Sequence, residues 1–195
     1  MKKPFYSSLI IGLFVCRSVF AQSTLLDAST LNQQETFTSL EKALEQPEKV
    51  YVLDLSGQSL RTLPPGIALL IHLQKLDLSD NQLREIPPAL GQLNNLQWLD
   101  LYANQLSELP GFFAHFAYLQ YLDLGGNWFS EIPEPVYSLP RLEHLYVYAN
   151  KLTALSSKIT QLDSLEYLRL GKGLKFFWGV TESGSCRRIL ANSRL

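Results

Sequence analysis

A chain of 195 residues with 46% apolar side chains can bury one core of domain size. Its charge is balanced, 17 basic against 18 acidic residues, which speaks against nucleic acid as the main partner, because displacing counterions from a polyanion needs net positive surface. No stretch approaches the roughly 20 apolar residues that a membrane-spanning helix requires, so no membrane span is expected.

The first residues read as an address. Lys2 and Lys3 form a positive region, Leu9 to Cys16 form a short apolar run, and Val19-Phe20-Ala21 offers small residues at the two positions a signal peptidase reads. A signal peptide over 1–21 with cleavage before Gln22 is the expectation, although Arg17 interrupts the pattern. That places the protein in an exported compartment, whether secreted, periplasmic or at the cell surface. A lipoprotein signal centred on Cys16 fits less well, because Val15 stands where such signals carry a small residue. With Cys16 removed, Cys186 is the single cysteine left, and the fold must stand on packing without an internal disulfide.

Residues 22–49 read as an N-terminal cap. Thr38-Ser39-Leu40-Glu41 has the form of a capping box, Lys42 to Glu45 continue a short helix, and Pro47 stops it. Phe37, Leu40 and Leu44 fall on one face and are expected to cover the open end of whatever core follows.

From Val50 the chain rewrites itself every 23 residues, in five full copies plus a sixth that starts at Leu165 and breaks off near 173. One copy reads LQKLDLSDNQLREIPPALGQLNN and the next LQWLDLYANQLSELPGFFAHFAY. Within each, residues such as Leu76 and Leu78 alternate with Lys75, Asp77 and Ser79, the period-two signature of a short strand. One strand per copy, all running the same way, stacks into a parallel sheet, and the leucines of successive copies meet in a core that no copy could bury alone. Asn81, Asn104, Asn127 and Asn150 form a structural column where the chain turns out of each strand, and there a side-chain amide can satisfy backbone groups left unpaired. Gln58 and Gly173 take that place in the end copies. Leu63-Pro64, Ile86-Pro87, Leu109-Pro110 and Ile132-Pro133 favour extended backbone on the outer side, and Leu155-Ser156 breaks the rule in the fifth copy.

These residues resemble the leucine-rich repeat family, with the pattern LxxLxLxxNxLxxLPxxIxxL in phase over about residues 50–173. The resemblance implies an α/β leucine-rich repeat solenoid: a curved parallel β-sheet on the concave face, extended or 3-10 turns on the convex face, and an N-terminal capping helix. It also resembles exported bacterial members of that family, which implies a non-enzymatic module binding a protein partner, of the envelope or of a host.

Past the repeats, residues 174–195 lose every landmark at once. Either Phe176, Phe177 and Trp178 fold over the last copy as a lid, or the tail is the product of a truncated or frameshifted reading frame; the second reading is preferred here. An uncovered edge strand with a lone cysteine would favour self-association through the C-terminal edge.

Catalysis finds little support. His72, His115 and His144 sit at different places in their copies, and no HExxH, GxSxG, phosphate-binding glycine loop or CxxC motif occurs. Cys186 lies in Ser-Cys-Arg-Arg, where the arginines could lower its pKa, but it stands in a short irregular tail and a nucleophilic role is not expected. No enzyme activity, cofactor or metal is expected.

Binding is expected instead from the inner face. Three columns alternate with the core leucines: Val52, Lys75, Trp98, Tyr121, His144, Tyr167; then Asp54, Asp77, Asp100, Asp123, Tyr146, Arg169; then Ser56, Ser79, Tyr102, Gly125, Tyr148, Gly171. The aspartates Asp77, Asp100 and Asp123 count among the candidate contacts, though a hydrated strand face explains them as well. The sharper signal is the aromatic group Trp98, Tyr102, Tyr121, Tyr146, Tyr148 and Tyr167 with His144, since clustered Tyr and Trp supply large contact area at low entropic cost. Aromatic rings flanked by Asp also suit sugars, so carbohydrate binding is the alternative.

Overall fold

The computed structural model describes residues 25–171. The expectations for the signal region, for Cys16, and for the tail with Phe176, Phe177, Trp178 and Cys186 lie outside them. Each repeat carries a three-residue strand from its third residue, and the apolar-polar alternation shows directly in its burial: in Lys75–Asp77 only Leu76 is buried, and in Trp98–Asp100 only Leu99.

Seven parallel strands follow one another across one open sheet in chain order: β1 (Thr36–Phe37), β2 (Val52–Asp54), β3 (Lys75–Asp77), β4 (Trp98–Asp100), β5 (Tyr121–Asp123), β6 (His144–Tyr146) and β7 (Tyr167–Arg169). Register is constant from β2 onward, with Lys75 opposite Trp98, Leu76 opposite Leu99 and Asp77 opposite Asp100. Equal copy length explains this, because an unbroken 23-residue period leaves every strand in the same phase.

The outer side is built from short 3-10 turns, Pro65–Leu69, Pro88–Gln92, Gly111–His115, Glu134–Ser138 and Ser157–Gln161. Pro64, Pro87, Pro110 and Pro133 precede the first four in extended conformation. Ser156 adopts the same geometry, φ −69° and ψ 145°, and its hydroxyl accepts a hydrogen bond from the Lys158 N–H, so a side-chain cap stands where proline pre-sets the backbone elsewhere. Between sheet and turns runs one continuous core of leucines, widened in the middle by Phe113, Phe116 and Phe129.

The asparagines tie the coils together. Asn104 Nδ2 donates to the carbonyls of Leu78, Leu101 and Tyr102, while its Oδ1 accepts from the Leu83 N–H at 3.0 Å. Asn81, Asn127 and Asn150 repeat that pattern, each accepting from a backbone N–H of the preceding coil. The residue before each asparagine takes a left-handed conformation: Asp80, Ala103, Gly126 and Ala149 all have φ between 51° and 65°. Gln58, in the first coil, stays exposed and donates instead to the Thr38 carbonyl.

The N-terminal end departs from expectation in two ways. Two short helices are present, α1 (Ala28–Leu31) and α2 (Leu40–Ala43), and the strand β1 between them extends the sheet by one rung that no repeat announces. The N-cap of α2 is Ser39, not Thr38: Ser39 Oγ accepts from the Lys42 N–H, and Glu41 falls in the first turn. The shift of one residue follows from β1, whose pairing with β2 keeps the chain extended through this point. Phe37, Leu40 and Leu44 pack partly buried against the end of the core, and Ala43 is wholly buried there.

Candidate functional site

The inner face of the sheet carries three columns of side chains in strict register. Leu53, Leu76, Leu99, Leu122, Leu145 and Leu168 point into the core from the centre of each strand, so the residues on either side of them must point the other way. Strands stack about 4.8 Å apart, close to the optimal separation of stacked rings. A column of aromatics on successive strands is therefore forced into contact.

That contact is what the structure shows. Trp98 and Tyr121 stack nearly parallel, with centroids 4.8 Å apart and planes inclined by 13°. Tyr121 meets Tyr146 at 5.2 Å, and Tyr146 meets Tyr167 at 5.2 Å. His144 sits beside this run, 6.3 Å from Tyr121 and 6.1 Å from Tyr167. Lys75 closes one end, its Nζ 4.7 Å above the Trp98 ring. A second, shorter stack joins Tyr102 to Tyr148 at 5.7 Å, and Arg169 covers the Tyr148 ring at 4.2 Å.

Gly125 makes the second stack possible. Tyr102 and Tyr148 stand two strands apart, and their rings lean together over the strand between them. A Cβ at Gly125 would lie 2.7 Å from the Tyr148 ring. The sequence placed Gly125 in this column without showing its role, and Lys75 and Arg169 likewise emerge as ring partners only from the geometry.

All seven residues of the aromatic group are half-buried. Because neighbouring rings occupy each other's faces, the surface offers mainly ring edges, phenol hydroxyls and the indole N–H. Burial, the largest cause, together with Asp100 and Asp123 nearby, raises the pKa of the Tyr121 phenol, and burial with Asp123 does the same for Tyr148. The hydroxyls therefore stay protonated and able to donate.

The aspartate column has a different task. The carboxylates of Asp54, Asp77, Asp100 and Asp123 each accept the backbone N–H two residues on, from Ser56, Ser79, Tyr102 and Gly125. Such bonds order the turn that follows each strand. Asp123 is buried, with its carboxylate held 2.6 Å from the Gly125 nitrogen, whereas Asp77 and Asp100 are half-buried. Desolvation is the main reason that the Asp100 carboxyl is pushed up to about 7 and that of Asp123 to about 6; the charges of Asp123, Asp77 and Asp80 add to it for Asp100, and Arg169 opposes it for Asp123.

A pH dependence follows. A carboxyl with a raised folded-state pKa binds its proton more tightly in the folded form, so its contribution is fully present below the unfolded value of 3.8 and is lost as pH rises through about 7. Asp100→Asn keeps an oxygen acceptor for the Tyr102 N–H and removes the charge. It is expected to raise the unfolding midpoint relative to the parent at pH 8 and to change it little near pH 4, as checked by thermal unfolding at both values. A constant offset between the two proteins across this range would show that the carboxylate carries no folded-state penalty.

The three histidines do not converge: His72 flanks Tyr51, His115 ends an outer turn and His144 stands on β6. Among the described residues no group of His, Cys, Asp or Glu could hold a metal ion, and no helix is long and apolar enough to cross a membrane.

One strand and one outer turn per coil, an asparagine ladder and an unbroken leucine core define a repeat solenoid. The model of the family described as "Leucine rich repeat" matches residues 48–106 and 71–129. Among solved structures, a leucine-rich repeat protein of Leptospira interrogans is similar, at 28% identity and a TM-score of 0.55, over 73% of this chain and 54% of its own. The chain thus spans about half the length of that relative. The leucine-rich repeat ectodomain of the receptor kinase SOBIR1 from Arabidopsis thaliana is 30% identical, with a TM-score of 0.54, over 64% of this chain and 72% of its own. An internalin of Listeria monocytogenes shares the fold at 24% identity and a TM-score of 0.50, over 65% of this chain and 35% of its own. No curated protein matches by sequence. The chain belongs to the leucine-rich repeat family.

Proposed function

We propose that this protein is an exported, non-enzymatic binding module whose concave face holds a protein partner of the envelope or of a host. The single observation that carries this reading is the half-exposed aromatic array on β4 to β7, bounded by Lys75 at one end and Arg169 at the other. Trp98, Tyr102, Tyr121, His144, Tyr146, Tyr148 and Tyr167 form the contact surface. Asp77, Asp100 and Asp123 complete that surface beside the rings, and Asp100 also holds the turn from which Tyr102 projects. Relatives that are an ectodomain and an internalin support a binding role outside the cytoplasm.

Ring geometry favours a protein over a sugar. A sugar ring packs against an aromatic face, whereas here Trp98 has Lys75 on one face and Tyr121 on the other. Ring edges with hydroxyl and N–H donors suit a polypeptide surface, where Tyr and Trp anchors dominate the binding energy.

The test is a pull-down from envelope and host extracts beside a glycan array, with the parent and with Trp98→Ala plus Tyr146→Ala. Partners captured by the parent should bind the double variant at least about a hundredfold more weakly, since each anchor contributes roughly 2 kcal/mol or more. Unchanged capture by the double variant would mean that the inner face is not the binding surface. Saturable glycan binding lost in the same variant would replace the protein reading by the carbohydrate one.

A further inference from the structure

Immediately before each strand runs another column: Gln74, Gln97, Gln120, Glu143 and Glu166. Its first two members already hold a polypeptide. The Leu26 N–H donates to Gln74 Oε1 at 2.9 Å, and Gln97 Nε2 donates to the Leu26 carbonyl at 2.9 Å. Gln97 Nε2 also donates to Gln74 Oε1 at 2.8 Å, which ties the two amides into one unit. Both backbone groups of one residue are satisfied by two side chains one coil apart, and no property of the Leu26 side chain enters those bonds.

Shifted along the sheet by one coil, the same pair of residue types recurs, Gln97 followed 23 positions on by Gln120, without the amide–amide bond that joins Gln74 to Gln97. Gln97 Oε1 and the Gln120 amide make no hydrogen bond among the described residues, although both residues are half-buried and 23 positions apart, as Gln74 and Gln97 are. The series ends there, because Glu143 follows and an ionised carboxylate accepts but cannot donate. Gln97 and Gln120 also directly precede Trp98 and Tyr121, the stacked pair at the start of the aromatic array.

We propose that Gln97 and Gln120 form a main-chain clamp for an extended peptide segment of the partner. Gln97 Oε1 accepts one backbone N–H of that segment, Gln120 Nε2 donates to the carbonyl of the same residue, and the neighbouring side chains lie along Trp98 and Tyr121. This rests on the inner-face reading and narrows it, since the partner must present an extended strand or tail and not only a folded surface. The clamp takes any residue type at its centre, just as Leu26 is held through its backbone alone; the aromatics supply selectivity.

The experiment selects linear peptides from a random displayed library against the full chain and measures their affinities by fluorescence polarisation. Selected peptides should bind Gln120→Glu about tenfold more weakly, because the donor is lost and a charge faces the peptide carbonyl. The substitution introduces the residue type that Glu143 and Glu166 already place in this column. On the parent protein, methylating one backbone nitrogen of the peptide should cost at least as much, while alanine at that same residue should cost little. Failure to enrich any linear peptide overturns the proposal, as does equal affinity for Gln120→Glu together with indifference to every backbone methylation. If binding is then still lost in Trp98→Ala plus Tyr146→Ala, the inner-face reading stands and the clamp alone is wrong; if not, both fail.

Discussion

Phe113→Ala is expected to lower the free energy of unfolding by about 3–5 kcal/mol, the range for emptying a buried aromatic position. Phe113 is wholly buried in the outer turn of the third coil, with the Phe112 ring 5.4 Å and the Phe116 ring 5.2 Å away. Its counterparts in the other coils, Ile67, Leu90, Val136 and Ile159, are smaller and also buried. They cannot swell to fill the void, because each is held by its own coil. Phe113→Leu places in the third coil the residue that Leu90 supplies in the second, and about 1.5 kcal/mol or less should be lost. Chemical denaturation of the three proteins checks this. Equal losses for Leu and Ala would mean that the ring, and not filled volume, holds the site.

The second large effect is expected at Asn104. Removing its amide leaves the Leu83 N–H without its acceptor inside the core. The three carbonyls it serves are better protected: Leu78 is also bonded by Asn81, Leu101 by Asn127, and Tyr102 by the Asp80 N–H. The loss is therefore one buried orphan donor, three weakened acceptors and a small cavity, together about 3–4 kcal/mol for Asn104→Ala. For a protein of this size that corresponds to a fall of roughly 10 °C in the midpoint. Asn150→Ala should cost about half as much, because Asn150 is only half-buried and water can reach the groups it leaves. Thermal unfolding of both variants distinguishes this from uniform contributions along the ladder, which would give equal shifts.

The Asn104 and Asp100 substitutions bear on function through the same stretch of backbone. Asn104 fixes the turn that follows Tyr102, and Asp100 holds the Tyr102 N–H from the strand before it. The rings of the inner face project from a backbone that these two side chains hold in place. A loss of binding in either variant would therefore have to be measured at a temperature where the protein remains folded.

The scaffold was legible in the sequence because its signal is repeated. Alternation of Leu76 and Leu78 with polar residues is weak in one copy and decisive in five in-phase copies, and the asparagine column marks where every coil turns. The N-terminal end was less legible, since β1 has no repeat behind it. Thr36 and Phe37 form a strand only because β2 offers an unpaired edge at that point, and the helix start moves to Ser39 in consequence. Thr and Phe favour strands, but a run of two such residues is too short to announce one by itself.

The sequence by itself determined which residues share a face, since a period of 23 with strands of constant phase leaves no choice of column. Tertiary structure alone decided what those columns do. It turned the aspartates toward the backbone N–H groups of the following turns, because a carboxylate at a half-buried strand end finds an amide two residues on. It closed Tyr102 and Tyr148 over Gly125, because only a residue without a side chain leaves that space. It also set Leu26 against Gln74 and Gln97, a meeting of residues 48 and 71 positions apart that follows from the path of the whole chain and from no pattern within it.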